Sequence, residues 1–151
     1  KVGARIMSLS DPGSKMSKSE EDPTGTIDLL DTPEVILSKF KKAITDSETC
    51  VKYDPKNKKG VSNLMSIYSA ATGRTFKEIE AEFEGKGYGV FKPAVGEAVV
   101  ELLRPIREMA AQLLSDKAYL ESIYKDGAQK ASALAARTLT KVYKKVGFVA
   151  K

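Results

Sequence analysis

Lys15-Met16-Ser17-Lys18-Ser19 is the stretch on which the reading of this 151-residue chain turns. Two lysines stand three apart, with small hydroxyl residues around them. A loop of this kind can bring two ammonium groups onto one polyphosphate. Each lysine is a point charge on a flexible stem, suited to phosphates whose charge shifts during a reaction. Working outward, Gly3-Ala4-Arg5-Ile6-Met7-Ser8-Leu9 is short and apolar, and Pro12-Gly13 is a turn signal. The pattern predicts a strand that delivers the loop. Gly13, Ser14, Ser17 and Ser19 predict a mobile loop, fit to act as a lid. Glu20-Glu21-Asp22 behind it is an acidic patch able to hold the lysines while no phosphate is present.

Nearly everything downstream reads as helix. Asp31-Thr32-Pro33-Glu34 is a start signal, and Ile36, Phe40, Ala43 and Ile44 form its apolar stripe. Residues 48–60, with Asp54-Pro55 and four polar or charged residues before Gly60, read as an exposed loop. A second helix is expected from about Val61 to Thr72, capped by Gly73, with Leu64, Met65, Tyr68 and Ala71 inward. Thr75-Phe76-Lys77-Glu78 is a capping box for a short helix burying Ile79 and Phe83. Gly85, Gly87 and Gly89 follow a helix and open no phosphate-binding fingerprint, so they read as a tight connection with positive φ. Pro93 is expected to start a fourth helix carrying Val95, Val99, Leu102, Leu103, Ile106, Met109, Ala110 and Leu113, kinked at Pro105. Ser115-Asp116 opens a fifth helix with Tyr119, Leu120, Ile123 and Tyr124 apolar. Asp126-Gly127 is expected to end it, and a last helix runs to about Val146, stopped by Gly147.

Composition is that of an ordinary globular chain with room for a real core: 42% hydrophobic and 30% charged. A lone Cys50 makes no internal disulfide, and no long apolar run is present, which fits the cytoplasm and no membrane-spanning role. The net charge is +5, and its location matters more than its size. Residues 127–151 hold six basic side chains and no acidic one. Such a concentration points to an anionic partner such as RNA. On the last helix Lys130, Arg137, Lys141 and Lys144 form a stripe roughly a right angle from Ala131, Ala135, Thr138 and Val142. A solvated flank is the plainer alternative for that stripe.

The lysine loop resembles the KMSKS signature of class I aminoacyl-tRNA synthetases. The order of Thr45-Asp46-Ser47-Glu48, Val51-Lys52-Tyr53-Asp54, Gly60-Val61-Ser62-Asn63-Leu64, Glu84-Gly85-Lys86-Gly87-Tyr88-Gly89, Asp126-Gly127-Ala128-Gln129-Lys130-Ala131 and Gly147-Phe148-Val149-Ala150-Lys151 is similar to the C-terminal part of the bacterial tryptophan enzymes. The resemblance covers essentially the whole chain. There is no histidine, so the family's other, His-containing signature is not in these residues. The resemblance therefore implies a C-terminal fragment. Residues 1–30 would be the last strand and loop of a truncated nucleotide-binding domain, and residues 31–151 a helical tRNA-binding domain. The fold class expected is mainly α, a helical bundle preceded by that remnant strand and loop.

The resemblance further implies ATP-dependent activation of tryptophan and its transfer to tRNA(Trp). Lys15 and Lys18 would be the catalytic cations, with Lys18 on the β- and γ-phosphates and Ser17 and Ser19 assisting. Ile6 and Met16 would border the adenine. Mg²⁺ would arrive with ATP in the full enzyme, since no constellation in this chain would hold a metal alone. Lys130, Arg137, Lys141 and Lys144 are the candidates for tRNA backbone contact. The full enzyme would be a homodimer, and the fragment, without most of that interface and without the tryptophan pocket, an inactive monomer. Three alternatives stay open: a fragment of a tyrosyl-tRNA synthetase, a nucleotidyltransferase with a similar loop, and a non-catalytic basic helical module that binds RNA or protein.

Overall fold

A computed structural model describes residues 5–149. Gly3 and Ala4 of the expected strand, and Ala150 and Lys151 at the other end, lie outside the described residues. Five α-helices follow one another: α1 Pro33–Lys42, α2 Lys59–Thr72, α3 Phe76–Glu82, α4 Tyr88–Ser115 and α5 Lys117–Val146. The chain is mainly α, as the caps and stripes predict. It divides into two compact units, Lys1–Arg107 and Glu108–Lys151.

The first unit holds the core. Thr32 caps α1, its hydroxyl accepting from the Val35 amide, and Ile36 and Phe40 are sealed beneath. Gly73 ends α2 at φ +76°, a left-handed conformation that costs a residue with a Cβ dearly. The capping box at Thr75 and Glu78 forms in both directions. Tyr68, Phe83 and Phe91 pack edge to face in a triangle, with ring centroids 4.9–6.2 Å apart. Around it close Leu64, Met65, Ile79, Val95 and Val99.

Several expectations are corrected. Ile44 leaves the α1 stripe: it is 53% exposed, and its amide donates to Leu9 O at 2.8 Å. Helix α1 stops two residues earlier, so the helical periodicity no longer points Ile44 inward. The loop after α1 is not wholly exposed. Val51 joins the core and Lys58 is held by acids and a tyrosine. Helix α4 starts before Pro93 and runs through both Pro93 and Pro105. Gly85 and Gly87 take positive φ, while Gly89 is helical.

In the second unit, Asp126-Gly127 does not end a helix, and α5 is continuous. A helical glycine costs about 1 kcal/mol against alanine, too little to break a run of good helix formers. Asp126 also pairs with Lys130 one turn on, at 2.6 Å. Asp116 caps α5 through the Tyr119 amide, and Gly147 closes it at φ +75°. No residue of α5 is buried. Ile123, Tyr124, Leu134 and Val142 are all exposed, as are Met109 and Leu113 at the end of α4; in the first unit Leu102 and Ile106 of α4 are exposed as well.

Candidate functional site

The segment before the lysine loop is extended but forms no ladder. A strand exists by pairing, and here Met7 meets Lys15 in one isolated antiparallel bridge. Other groups satisfy the same backbone. Asn63 on α2 binds Met7 as a neighbouring strand would, accepting from its amide at 2.9 Å and donating to its carbonyl at 2.8 Å. The Leu9 amide donates to Gly25 O, and its carbonyl accepts from the Ile44 amide. Leu9 is buried in the core. The loop is thereby mounted on α2 and on the segments that flank α1.

The bridge brings together two of the residues expected at an adenine. The Met16 amide donates to Ile6 O at 3.1 Å, and both side chains are half-buried against the core. Lys15, Ser17, Lys18 and Ser19 are exposed. The Ser17 and Ser19 hydroxyls lie 3.0 Å apart. Neither lysine has an ion pair among the described residues, so both ammonium groups are open to an incoming anion.

The acidic patch does not hold the lysines. Glu20 turns inward, where Oε1 accepts from Ser8 Oγ at 2.6 Å and from Ser10 Oγ at 3.1 Å. Thr26 Oγ1 donates to Ser17 O at 2.9 Å and lies 3.4 Å from Glu20 Oε2. Gly25 forms the floor, since a Cβ there would overlap Glu20 Oε1 and Ser8 Oγ. A loop mobile by composition is thus fastened at Ser17 and Glu20. The buried Ser8 and the half-buried Ser10 that receive Glu20 form no pattern that could be read along the chain. Asp22 binds the Thr24 amide and hydroxyl instead of a lysine, and the Thr24 hydroxyl then the amide hold its pKa below the ordinary value.

A second polar cluster was also invisible in the sequence. The Tyr88 hydroxyl lies 2.8 Å from Asp46 Oδ1 and 3.0 Å from Cys50 O, and accepts from Lys58 Nζ at 3.2 Å. Lys58 Nζ also pairs with Glu48 at 2.5 Å and Asp46 at 3.3 Å. Burial, with the Asp46 hydrogen bond, pushes the Tyr88 pKa up to about 12. Glu48 above all raises the Lys58 pKa. Burial works against the Asp46 charge, but Tyr88, the Glu48 amide and Lys58 together hold its pKa below the ordinary value. This cluster ties the loop after α1 to the start of α4.

The remaining candidates lie on α5. Arg137, Lys141 and Lys144 are exposed. Lys130 is exposed too but is engaged by Asp126. Among the described residues no group of three His, Cys, Asp or Glu side chains could hold a metal ion. No described helix is long and apolar enough to cross a membrane.

A family model described as class I tRNA synthetases (W and Y) matches residues 2–104. A tryptophan–tRNA ligase of Wolinella succinogenes is 52% identical over 149 residues, which cover 99% of this chain and 45% of the relative. The crystal structure of the Campylobacter jejuni tryptophanyl-tRNA synthetase complexed with ADP and tryptophan superimposes with a TM-score of 0.78 at 29% identity. It is matched over 96% of this chain and 44% of its own. The Mycoplasma pneumoniae enzyme gives 0.69 at 32% identity, over the same shares. The chain spans less than half the length of these relatives.

Proposed function

The chain belongs to the class I tRNA synthetases of the tryptophan and tyrosine group, and from that premise we propose that it is the ATP-phosphate loop and tRNA-binding part of a tryptophan–tRNA ligase. The observation that carries the reading is the Lys15–Ser19 loop, presented on a fixed mount with both lysines unpaired among the described residues. The tryptophan assignment over tyrosine is supported by the Wolinella relative at 52% identity.

In this reading the tryptophan carboxylate attacks the α-phosphate of ATP and pyrophosphate leaves. Negative charge grows on the leaving group as the bond breaks. Lys15 and Lys18 meet that charge, and cations that bind it better in the transition state than in the ground state lower the barrier. Ile6 and Met16, brought side by side at the bridge, border the adenine. Ser17 and Ser19 complete the phosphate contacts. Mg²⁺ comes with the ATP phosphates. Residues 1–30 serve the activation step, and residues 31–151 serve tRNA(Trp). On α5, Arg137, Lys141 and Lys144 follow the RNA backbone, where such contacts position without reading sequence. Lys130 contributes once Asp126 releases it. The working enzyme is a cytoplasmic homodimer.

The test is ATP–pyrophosphate exchange by the gene product that carries these residues. Exchange should depend on tryptophan. Dependence on tyrosine would move the protein to the sister activity, and no exchange with either would overturn the ligase reading.

A further inference from the structure

A cavity of about 440 Å³ opens beside the start of α4, lined by Lys41 of α1 and by Tyr88, Gly89, Lys92 and Pro93. Its volume lies in the range of small-ligand sites. Three observations distinguish it from an ordinary dent. First, Lys41 and Lys92 have no acidic partner among the described residues. Lys92 is half-buried, and burial alone lowers its pKa, so a cation is held there with nothing to offset its desolvation. Second, the aromatic wall is fixed. The Tyr88 hydroxyl is fastened by Asp46, Cys50 O and Lys58, so the ring loses little freedom when something stacks on it. Third, the Gly89 backbone borders open space, so a side chain placed there has room to enter. A Cβ at Gly89 would meet nothing within 4 Å.

Two unpaired cations beside a clamped ring and a proline complement a ligand with an anionic group joined to a flat one. We propose that this cavity takes one unstacked nucleotide of single-stranded RNA, its phosphate at Lys41 and Lys92 and its base on Tyr88 and Pro93. The inference rests on the tRNA-binding reading above but uses none of the α5 side chains. The Tyr88 hydroxyl is already engaged within the protein, so the lining offers stacking more than edge recognition. Binding should therefore tolerate different bases.

Fluorescence anisotropy of the 151-residue chain with a labelled single-stranded pentaribonucleotide, and separately with a tRNA(Trp) transcript, tests it. Lys41→Met and Lys92→Met should each weaken pentaribonucleotide binding several-fold and reduce the salt slope by about 0.7. Gly89→Leu fills the cavity and should weaken binding about tenfold without changing that slope. Its melting temperature should not fall, because a helical glycine is being replaced by a good helix former. Gly89→Leu and Lys92→Met proteins that bind both RNAs like the parent would overturn the pocket and leave tRNA binding intact. If the transcript fails to bind while the pentaribonucleotide binds and responds to the three variants, the pocket stands and the tRNA reading falls. A parent chain that binds neither RNA, or binds a polyglutamate peptide better than RNA, overturns the proposal.

Discussion

The Ser8 hydroxyl donates to the Glu20 carboxylate at 2.6 Å, so the residue that follows the lysine loop faces the protein and not the lysines. Ser8 is itself sealed from solvent and accepts from the Ser10 and Asp11 amides. One carboxylate thereby joins the start of the loop to its end.

Glu20→Ala should free that end. It strips the Ser8 and Ser10 hydroxyls of their acceptor, a loss of about 1–2 kcal/mol. Glu20→Gln keeps one acceptor oxygen and should lose less. Urea melts give the stability, and hydrogen exchange at Glu20 and Gly25 gives the local effect. Alanine and parent proteins with the same midpoint and the same exchange would mean that the clasp holds nothing.

Phe40 and Ile44 stand one helical turn apart in sequence and differ wholly in burial, 0% against 53% exposed. Phe40→Ala should cost about 3–5 kcal/mol. Ile44→Ala should stay within about 0.5 kcal/mol, as for surface substitutions generally. Comparable losses at the two sites would mean that Ile44 is covered in solution.

The helix ends were legible because capping is local chemistry. Thr32, Gly73, the Thr75–Glu78 box and Gly147 each act on amides or carbonyls a few residues away. Asp126-Gly127 is a local breaker signal too, but the helix formers on both sides outweigh it and α5 runs through. The lysine loop was legible as a motif, and its exposure follows from its composition. Its mount was not. Asn63 reaches Met7 across 56 positions, and Tyr88 reaches Asp46 across 42. No periodicity carries such a pairing. The apolar residues of α5 fit the helical pattern yet remain exposed, since a stripe says that a helix can be covered and not what covers it.

Tyr88→Phe keeps the ring and removes one hydroxyl that serves Asp46, Cys50 O and Lys58. It should destabilise by about 1–2 kcal/mol, because the partners lose a partly buried hydrogen bond. A thermal melt unchanged from the parent would show that water replaces the hydroxyl freely.

Asp46 should make part of the stability dependent on acid pH. Its folded pKa lies below the ordinary 3.8, held down by Tyr88, the Glu48 amide and Lys58 against the effect of burial. The unfolded chain therefore takes up this proton first as the pH falls. Stability from this group is fully present above 3.8 and drains away below it. Asp46→Asn should be less stable than the parent at neutral pH, and the gap should narrow as the pH drops through that region. Denaturant midpoints measured across the acid range would decide it, and a gap independent of pH would remove the charge from the account.

Lys18→Ala, made in the gene product that carries this chain, separates holding ATP from driving its reaction. In the proposed mechanism ground-state ATP is bound partly through its adenine, against Ile6 and Met16, which the substitution leaves alone. The pyrophosphate gains charge only as its bond to the α-phosphate breaks, and an unpaired, exposed ammonium on a flexible stem can follow it. Losing one such cation costs about 3 kcal/mol, roughly a hundredfold in the rate of adenylate formation. ATP affinity should change far less. Lys18→Arg should restore only part of the rate, because a planar fork does not replace a mobile point charge. Lys15→Ala tests the same role at the bridge, where Lys15 pairs with Met7 and its backbone is held. Rapid-quench measurement of pyrophosphate release beside ATP titration gives both quantities. A normal activation rate with weakened ATP binding would make Lys18 a tether for the ground state, and the transition-state role would have to be given up.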